Sequence, residues 1–311
     1  MRDVLGECLL RRGERDPDLV VLDADLSTST RTSKFAGAFP NRFFNLGIAE
    51  HDLLGVATGL ALRGHNVVVS GFTVFTLGRG WDFLRAACHD RLPVKVLTTH
   101  SGLSAALDGG THQCVEDLAL ACSIPHLVVL VPADDEEARQ VVDWALDSEG
   151  PTFVRLQRNS VPRTVPEDYA FQFGRWQTLR EGDDVTIVAT GALVGTAIEA
   201  SKSLRSVGVS AAVLDASTVK PLDAAAVEKA ALRTGALVVV EEHNLLTGLG
   251  SQVCRVTCQR VTPPVPVECV GVPDRFGQSG TYQELLEWSG LTAANVQRAA
   301  LRAVRRKEGL G

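Results

Sequence analysis

Short apolar runs and longer amphipathic segments alternate along the first half of the chain. The short runs have the length of buried strands, whereas the longer segments repeat apolar residues at the i, i+3, i+4, i+7 spacing of a helix. After Glu50, for example, this spacing places Leu53, Val56, Ala57 and Leu60 on one face. The pattern predicts strands over Leu19–Asp23, Arg42–Asn45, Asn66–Val69, Val94–Thr99, Leu127–Val131 and Thr152–Leu156, and helices over Glu50–Leu62, Leu77–His89 and Asp134–Leu146.

This alternation predicts a mostly parallel sheet with helices on both faces. Residues 163–182 are polar and lack sustained periodicity, as expected of a linker. A second alternating unit follows, with strand-forming runs at Asp184–Gly191, Ser210–Asp215 and Ala236–Glu242 and helical segments at Thr196–Ser206 and Ala224–Arg233. We therefore predict an α/β protein of two domains, residues 1–162 and 183–311, each a mostly parallel sheet flanked by helices.

The composition is typical of a globular enzyme. At 311 residues, 45% hydrophobic and 22% charged, the chain has the length for two domains of roughly 150 residues each. A formal net charge of −6 argues against a nucleic-acid-binding surface, which needs a basic footprint. No run approaches the roughly 18 apolar residues of a membrane helix, and the N-terminal residues lack the apolar core of a signal peptide.

The cysteines indicate a reducing compartment. There are seven of them, an odd number scattered through apolar segments, which is typical of reduced thiols in a cytoplasmic protein. Cys254 and Cys258 lie four residues apart on a predicted helix, but no second pair of ligands follows nearby in the sequence. The sequence therefore predicts no metal site within this chain.

The most informative segment is Asn45–Gly59, in which a short strand, a glycine and a helix follow one another. Glu50 lies in the first turn of that helix, beside apolar Ile48 and Ala49. The helix dipole stabilises an acidic residue there by a few tenths to about 1 kcal/mol, which is one sufficient reason for a glutamate. The surrounding motifs favour a chemical role instead.

The segment Gly47–His51 resembles the glutamate segment of thiamine-diphosphate enzymes of the transketolase family. The resemblance implies that Glu50 hydrogen-bonds ring nitrogen N1′ of the cofactor's aminopyrimidine and promotes the tautomer that activates the cofactor. In such enzymes the cofactor carries the chemistry, and the protein supplies position and electrostatics. Separately recognisable stretches extend this resemblance through most of the chain.

One such stretch, Val21–Ser29, is similar to the strand and loop that precede the glutamate in this family. The resemblance implies that Asp25 approaches the thiazolium ring of the neighbouring active site. It also implies that Ser29 contacts the phosphate of the substrate.

A second stretch, Gly71–Phe75, opens the helix where the family places an aromatic ring against the aminopyrimidine. Counting back from Pro93 favours Phe75 as that ring. The family varies in length here, so Phe72 stays possible. A phenylalanine without this context is usually a core residue.

The strand Val94–Thr99 leads into two histidines that resemble sugar-binding residues of transketolases. In that family, residues placed like His100, Asp108 and His112 contact the hydroxyls and the carbonyl of the ketose. Imidazole both donates and accepts hydrogen bonds and titrates near neutral pH, which suits a donor with several hydroxyls. A single histidine is more often structural, but ligands bind at the C-terminal ends of strands in open α/β sheets. Two histidines on consecutive loops there favour function.

The loop between these histidines departs from the family pattern. Transketolases usually read Gly-x-Gly-Glu-Asp-Gly before Thr-His-Gln, whereas this chain reads Ser-Ala-Ala-Leu-Asp-Gly over residues 104–109. The missing glycines remove backbone freedom, and Leu107 replaces an acidic residue. The detailed sugar contacts therefore stay open, whereas the interpretation of Glu50 does not depend on them.

Two arginines are candidates for binding a phosphate or another anionic group. Arg158 follows the last strand predicted for the first domain, and Arg2 lies 23 residues before Asp25, the family's spacing for a phosphate-binding arginine. Planar guanidinium groups match the geometry of phosphate oxygens. The alternative for Arg2 is a solvated position near the chain terminus.

The second domain resembles the C-terminal domain of transketolases and of the β subunits of 2-oxo acid dehydrogenases. The similar stretches are Glu242–Gly250 and Asp274–Gly280. In that family this domain serves architecture. The resemblance therefore implies a structural or interfacial role for His243 rather than a catalytic one.

The sequence contains no Gly-Asp-Gly motif, with which complete enzymes of this family hold the cofactor's diphosphate through Mg²⁺. The resemblance thus covers the pyrimidine half of the site and lacks the diphosphate half. It implies a split transketolase, in which a second polypeptide, the N-terminal transketolase subunit, binds diphosphate and Mg²⁺. The expected assembly is an α₂β₂ heterotetramer that transfers a two-carbon ketol unit from a ketose, or ketose phosphate, to an aldose.

Three alternatives stay open. A β subunit of a 2-oxo acid dehydrogenase shares the size, fold and glutamate, but we would not expect it to combine the two histidine motifs. Half of a 1-deoxyxylulose-5-phosphate synthase would carry Thr-His-Gln, although that family is normally a single chain. A non-catalytic interaction subunit is the alternative from a different class, with the altered loop at residues 104–107 as its motivation.

Overall fold

The apolar runs of the sequence form buried strands in the computed structural model, which describes residues 1–310. Every residue of the first, fourth and eighth strands is buried, because helices cover both faces of a parallel sheet. The strands are β1 (Leu19–Asp23), β2 (Phe43–Asn45), β3 (Asn66–Ser70), β4 (Val94–Thr98), β5 (Val128–Leu130), β6 (Thr152–Arg155), β7 (Gln177–Arg180), β8 (Val185–Ala189), β9 (Ala211–Asp215), β10 (Thr218–Lys220), β11 (Leu237–Asn244) and β12 (Val267–Val272).

Helices connect most of these strands, as crossovers between parallel strands require. Several begin at a side chain that caps the first turn: Asp134 accepts hydrogen bonds from two backbone amides of its helix, and Thr281 forms a capping box with Glu284. Such caps are each worth about 1 kcal/mol. The helices are α1 (Arg2–Gly13), α2 (Ser27–Thr30), α3 (Ser33–Ala38), α4 (Glu50–Leu62), α5 (Thr73–His89), α6 (Asp117–Ser123), α7 (Asp135–Asp147), α8 (Leu193–Arg205), α9 (Ala224–Thr234), α10 (Leu249–Arg260), α11 (Tyr282–Ser289) and α12 (Ala293–Lys307).

The strands form two sheets, with the orders β10-β5-β6-β4-β3-β1-β2 and β12-β11-β8-β9-β7. All pairings are parallel except those of the edge strands β10 and β7, which are antiparallel. The predicted α/β class, with two mostly parallel sheets flanked by helices, is confirmed. The predicted ends of individual helices and strands differ from the observed ones by a few residues.

Two elements lie where the sequence pattern did not indicate them. The stretch 163–182, which we expect to be a linker, contains β7, and this strand pairs with β9 of the second sheet. Trp176, just before β7, is buried. Strand β10 belongs to the second half of the chain but pairs with β5 of the first sheet. Both strands have only three or four residues, which is too short for a recognisable alternation.

The two sheets share part of their hydrophobic core. One continuous cluster of buried side chains includes Leu53 and Val96 from the first half of the chain and Val188 and Leu249 from the second. A buried polar junction lies beside it: Arg155 Nε donates to Asp117 Oδ2 at 2.7 Å, and Arg155 Nη2 donates to the backbone carbonyl of Glu242 at 2.8 Å. The second domain is therefore fixed against the first by both apolar and polar contacts.

The topology brings the predicted site residues to one edge of the first sheet. Because β1, β2, β3, β4 and β6 are parallel, their C-terminal ends lie along the same edge. Asp25, Glu50, Phe72, His100 and Arg158 follow these strands in the sequence. Ligands bind at this edge of an open α/β sheet.

Candidate active site

Glu50 begins helix α4 and is buried, with only 3% of its surface exposed. The chain reaches it from β2 through Gly47, whose φ of 73° lies in the left-handed region that favours glycine. A buried carboxylate needs a partner, and here Arg79 Nη1 donates to Glu50 Oε2 at 2.9 Å. The arginine itself is 55% exposed, so the pair links the interior to the surface of the site.

Aromatic rings continue from this ion pair. The guanidinium group of Arg79 lies 4.8 Å from the centre of the Phe75 ring, a cation–π distance. The Phe75 ring in turn meets the His112 imidazole edge to face, with centroids 5.2 Å apart and an interplanar angle of 80°. Glu50, Arg79, Phe75 and His112 therefore form one contiguous row.

Sequence reasoning did not identify Arg79 as part of this site. The available signal was its position four residues after Phe75 on the predicted helix, which places both side chains on one face. Its partner Glu50 lies on the preceding helix. Only the packing of α4 against α5 brings the two charges together.

Phe72 packs on His100 rather than into the open part of the site. The two rings stack with centroids 3.7 Å apart and an interplanar angle of 24°, and both residues are buried. His100 Nδ1 shares a hydrogen bond of 2.8 Å with Thr99 Oγ1, which leaves Nε2 as the other polar atom of the ring.

The His100 imidazole is held neutral. Burial above all, followed by the electrostatic influence of Arg158, Arg2 and His112, lowers the pKa of His100 to about 3. Burial disfavours the charged form of a base, and nearby cations do the same.

Three residues of these loops have strained backbone conformations. Asp25, His100 and Ala106 adopt φ values of 62°, 61° and 55°. This left-handed region is costly for residues other than glycine, by about 1 kcal/mol or more, and such strain is concentrated at functional sites. Three of the six such residues in the described part of the chain thus lie on the loops where the sequence predicts substrate contacts; the others are Arg31, Arg91 and His126.

The predicted anion-binding and sugar-binding residues meet in pairs. Arg158 Nη1 lies 3.3 Å from Asp108 Oδ2, and both side chains are about one third exposed. Arg2 Nη1 donates to the backbone carbonyl of Ser29 at 3.2 Å. Arg2 therefore lies in helix α1 with a defined contact, rather than in the solvated position that was its alternative.

Asp25 lies at the neighbouring strand end and is exposed. Its backbone amide donates to Asn45 Oδ1 at 3.0 Å, and Asn45 Nδ2 reaches Asp25 Oδ1 at 3.4 Å. This contact connects the loop after β1 to the end of β2, just before the helix of Glu50. Its partner is thus Asn45 rather than one of the histidines.

Other predicted residues lie away from these rows. His243 is buried, and its Nε2 accepts a hydrogen bond of 3.2 Å from the backbone amide of Ala119 on α6, so it joins the two halves of the chain. Within residues 1–310, no group of three or more histidine, cysteine, aspartate or glutamate side chains is arranged to hold a metal ion. No helix in the same range is long and apolar enough to cross a membrane.

The arrangement as a whole suits a polar, partly anionic ligand beside an aromatic ring. Glu50 offers a buried acceptor, Phe75 offers a ring that is partly exposed, and His100 offers a neutral imidazole. Arg2 and Arg158 supply positive charge at the other end. These groups can bind, orient and exchange protons with a hydroxylated substrate.

Comparison with known proteins identifies the family. The family described as "Transketolase, pyrimidine binding domain" matches residues 1–164, and "Transketolase, C-terminal domain" matches residues 174–296. The chain is 36% identical over 310 residues to a putative transketolase C-terminal section of Methanocaldococcus jannaschii, covering 99% of this chain and 97% of that protein. It is 37% identical over 308 residues to a 6-deoxy-6-sulfo-D-fructose transketolase subunit of a Clostridium species, covering 99% of this chain and 95% of that one.

A solved structure agrees with both. It is described as a split-gene transketolase in an inactive beta4 tetramer, and it is 44% identical with a TM-score of 0.88 over 98% of each chain. The sequence matches span both domains, and the structural match spans both sheets. The chain therefore belongs to the transketolase family and consists of its pyrimidine-binding and C-terminal domains.

Proposed function

We propose that this chain is the pyrimidine-binding subunit of a two-component, thiamine-diphosphate-dependent transketolase. The reaction is the transfer of a two-carbon ketol unit from a ketose or ketose phosphate to an aldose. The observation that carries the proposal is the row formed by the buried Glu50 carboxylate, Arg79, Phe75 and His112. Transketolase chemistry needs a carboxylate and an aromatic ring side by side at this position.

The residues present fit the cofactor. Glu50 supplies a buried acceptor for the aminopyrimidine, and hydrogen bonds to charged groups in such settings are strong. Phe75 is proposed as the stacking ring, because it is partly exposed whereas Phe72 is buried against His100. When bound, thiamine diphosphate supplies the nucleophilic carbon that attacks the donor carbonyl. Asp25 is proposed to approach the thiazolium ring of the neighbouring active site, as the family resemblance implies.

The substrate is proposed to bind between the histidines and the arginines. His100, neutral because its pKa is lowered to about 3, donates or accepts a hydrogen bond at Nε2 and carries no charge that repels the arginines. His112 and Asp108 hold further hydroxyl groups and move protons at the carbonyl. Arg158, Arg2 and Ser29 are proposed to bind the anionic group at the far end of the sugar.

A partner subunit is proposed to supply the rest of the cofactor site. It would bind the diphosphate through Mg²⁺, which takes oxygen ligands and bridges phosphates, in an α₂β₂ heterotetramer. The names of the relatives support this division, because one is a transketolase subunit and another is a C-terminal section. The related structure described as an inactive beta4 tetramer suggests that the chain without its partner is inactive here too.

The test is reconstitution. Thiamine diphosphate binding is measured by calorimetry with Mg²⁺, for this chain alone and for the chain purified together with a diphosphate-binding transketolase subunit from the same organism. We expect tight binding and ketol transfer only in the mixture. Tight binding by this chain alone would contradict the subunit assignment. Cofactor-dependent turnover of a 2-oxo acid, without ketol transfer, would favour the dehydrogenase alternative.

The role of Glu50 is tested by Glu50→Gln in the same complex. General acid–base contributions are worth about 10²- to 10⁴-fold, so we expect the rate of ketol transfer to fall by at least about 10²-fold. Glu199→Gln is the matched control, because Glu199 is an exposed glutamate on α8 of the other domain. Full activity of Glu50→Gln would exclude the proposed role.

A further inference from the structure

The C-terminal domain holds the loop that carries the predicted sugar-binding residues. We define this substrate loop as residues 101–113, which begins after His100 and contains Asp108 and His112. Hydrogen bonds join this loop to the second domain near its start and in its second half. The residues of the second domain that take part lie on β11 and on the loop after β12.

The first tie is Glu242 at the start of the substrate loop. This residue of β11 is 2% exposed, and its Oε1 accepts a hydrogen bond of 2.6 Å from the backbone amide of Leu103. Its Oε2 accepts from Gln157 Nε2 at 2.6 Å and from the Tyr282 hydroxyl at 2.8 Å. Both carboxylate oxygens thus accept hydrogen bonds, and these hold the carboxylate in one orientation.

The loop backbone next to Glu242 leaves room for no residue larger than glycine at position 102. Gly102 has a φ of 57°, and a Cβ atom there would lie 2.5 Å from Glu242 Oε1. Real Cβ atoms do not come so close to an oxygen. The close approach of Glu242 to the loop therefore depends on this glycine.

The second tie lies at the other end of the loop. Ser279 Oγ donates to the backbone carbonyl of Leu107 at 2.7 Å, one residue before Asp108. Gln113 Nε2, one residue after His112, donates to the backbone carbonyl of Gln278 at 2.9 Å. Both contacts come from the segment 277–279 that follows β12.

Two glycines bring these backbones together. A Cβ atom on Gly110 would lie 2.5 Å from the Gly277 carbonyl oxygen, and a Cβ atom on Gly277 would lie 1.7 Å from Gln113 Oε1. A larger residue at position 110 would meet the backbone of Gly277 and force the two segments apart, whereas one at position 277 would have to displace the side chain of Gln113. The contact between the domains is therefore close on both sides of Asp108.

We propose that Glu242 and Ser279 are positioning residues, through which the C-terminal domain sets the geometry of Asp108 and His112 toward the sugar. The kinetic consequence of this inference rests on the proposed function, whereas the contacts are observed independently of that function. A loop bearing substrate contacts needs its geometry fixed to within a fraction of an ångström, and residues 101–113 contain only a single short 3₁₀ turn at Ala106–Asp108. The second domain supplies the rigidity that this loop lacks.

The first test is amide hydrogen exchange on the purified chain, which needs no partner and no activity. Ser279→Ala removes one hydrogen bond of ordinary strength, so the amides of residues 103–113 should exchange about fivefold faster. Ser206→Ala is the matched control, because Ser206 Oγ also donates to a backbone carbonyl at 2.7 Å on an exposed surface. Exchange of this segment at the wild-type rate in Ser279→Ala would overturn the proposal.

The second test is kinetic and uses the reconstituted complex. For Ser279→Ala we expect a KM for the ketose donor that is raised about fivefold, with unchanged affinity for thiamine diphosphate and with recovery in Ser279→Thr. A lowered kcat with a wild-type KM would mean a general structural role and would also overturn the proposal. If the wild-type complex transfers no ketol unit, the proposed function fails, and the exchange experiment still decides whether the loop is held.

A third variant increases the perturbation without removing a polar group. Gly277→Ala must displace Gln113, whereas Gly37→Ala, the control, introduces a Cβ atom with no neighbour within 4 Å. We expect a larger rise in exchange at residues 103–113 for Gly277→Ala than for Ser279→Ala, and none for Gly37→Ala. Equal exchange in all three would contradict the inference that this contact positions the loop.

Discussion

Arg79 Nη1 donates to Glu50 Oε2 at 2.9 Å, joining the second turn of α5 to the first residue of α4. The pair gives the buried carboxylate a fixed orientation. The same guanidinium group also lies over the ring of Phe75. A carboxylate that activates a cofactor must present one oxygen accurately. The ion pair holds the second oxygen and thereby limits rotation of the group.

The first prediction concerns this pair. Arg79→Met should lower kcat of the reconstituted enzyme by about five- to tenfold, because Glu50 loses a charge-assisted hydrogen bond whose worth is reduced by the exposure of Arg79. Arg79→Lys should retain part of the activity. Arg85→Met is the control, since Arg85 is exposed on the same helix. Steady-state kinetics at saturating cofactor measure the difference, and an equal loss in both methionine variants would contradict the prediction.

The second prediction follows from the lowered pKa of His100, about 3. In an unfolded chain a histidine binds its proton below a pH of about 6.5, whereas the folded protein binds it only near pH 3. Folding stability should therefore fall as the pH decreases from about 6.5 toward 3, by at most about 1.4 kcal/mol per pH unit from this group.

The measurement is thermal unfolding between pH 4 and 8. His100→Gln removes the titrating group, so the decrease in Tm toward acid should be smaller than in the wild type. His89→Gln is the control, because His89 is 86% exposed. An NMR titration in which the His100 ring takes up a proton near pH 6 would refute the prediction.

The third prediction concerns two buried carboxyl groups, Asp215 and Glu137, which come from the two halves of the chain. Asp215 on β9 is fully buried, and neither of its oxygens has a hydrogen-bond donor within residues 1–310. Burial raises the pKa of Asp215 well above its usual value, and the charges of Glu137 and Asp134 raise it further. Tyr169 and Ser217 face Glu137, and the Tyr169 hydroxyl donates to Glu137 Oε1.

Because folding raises the pKa of this acid, its contribution to stability changes with pH in the opposite direction to that of a carboxylate whose pKa is lowered by folding. The folded protein keeps the Asp215 proton above a pH of about 4, where the unfolded chain loses it. Stability is therefore full below that pH and falls as the pH rises toward the folded pKa. Asp215→Asn keeps a neutral side chain, so its Tm should exceed that of the wild type by an amount that grows between pH 5 and 8. The exposed Asp168→Asn should show no such trend, and a wild-type pH profile for Asp215→Asn would disprove the account.

The fourth prediction concerns Lys95, which is fully buried in β4. Its Nζ donates to the carbonyl of Gly150 at 2.6 Å, to Ser148 Oγ at 3.0 Å and to the carbonyl of Ser148. Lys95→Met leaves these partly buried acceptors without their donor, which should cost about 3 kcal/mol and lower Tm by roughly 5–10 °C.

Thermal unfolding at pH 7 tests this expectation. Lys229→Met is the comparison, because Lys229 is exposed on α9. A Tm of Lys95→Met within a degree or two of the wild type would mean that water or a rearranged loop satisfies the oxygens. The cost assigned to the buried ammonium group would then be wrong.

The pattern of the sequence carried the fold class and the order of most strands. Strands that are buried on both faces, such as Val94–Thr98, appear in the sequence as continuous apolar runs and could be predicted from them. The helical periodicity after Glu50 predicted α4. The motifs also predicted which loops carry chemistry, and the predicted residues Asp25, Glu50, His100 and Arg158 each follow a predicted strand. Parallel strands place such residues at one edge whatever the order of the strands.

The tertiary structure alone decided the pairings across that edge. Counting back from Pro93 favoured Phe75 over Phe72 in the sequence, and only the structure shows that Phe72 stacks on His100. Strand β10 joins the first sheet although it follows β9 in the chain. The sequence did not predict this strand, because three residues are too few to show a periodicity. Local spacing encodes helices and strands, since neighbours along the chain determine them. The ties of Arg79 to Glu50 and of Ser279 to Leu107 join residues 29 and 172 positions apart, and these depend on how whole elements pack.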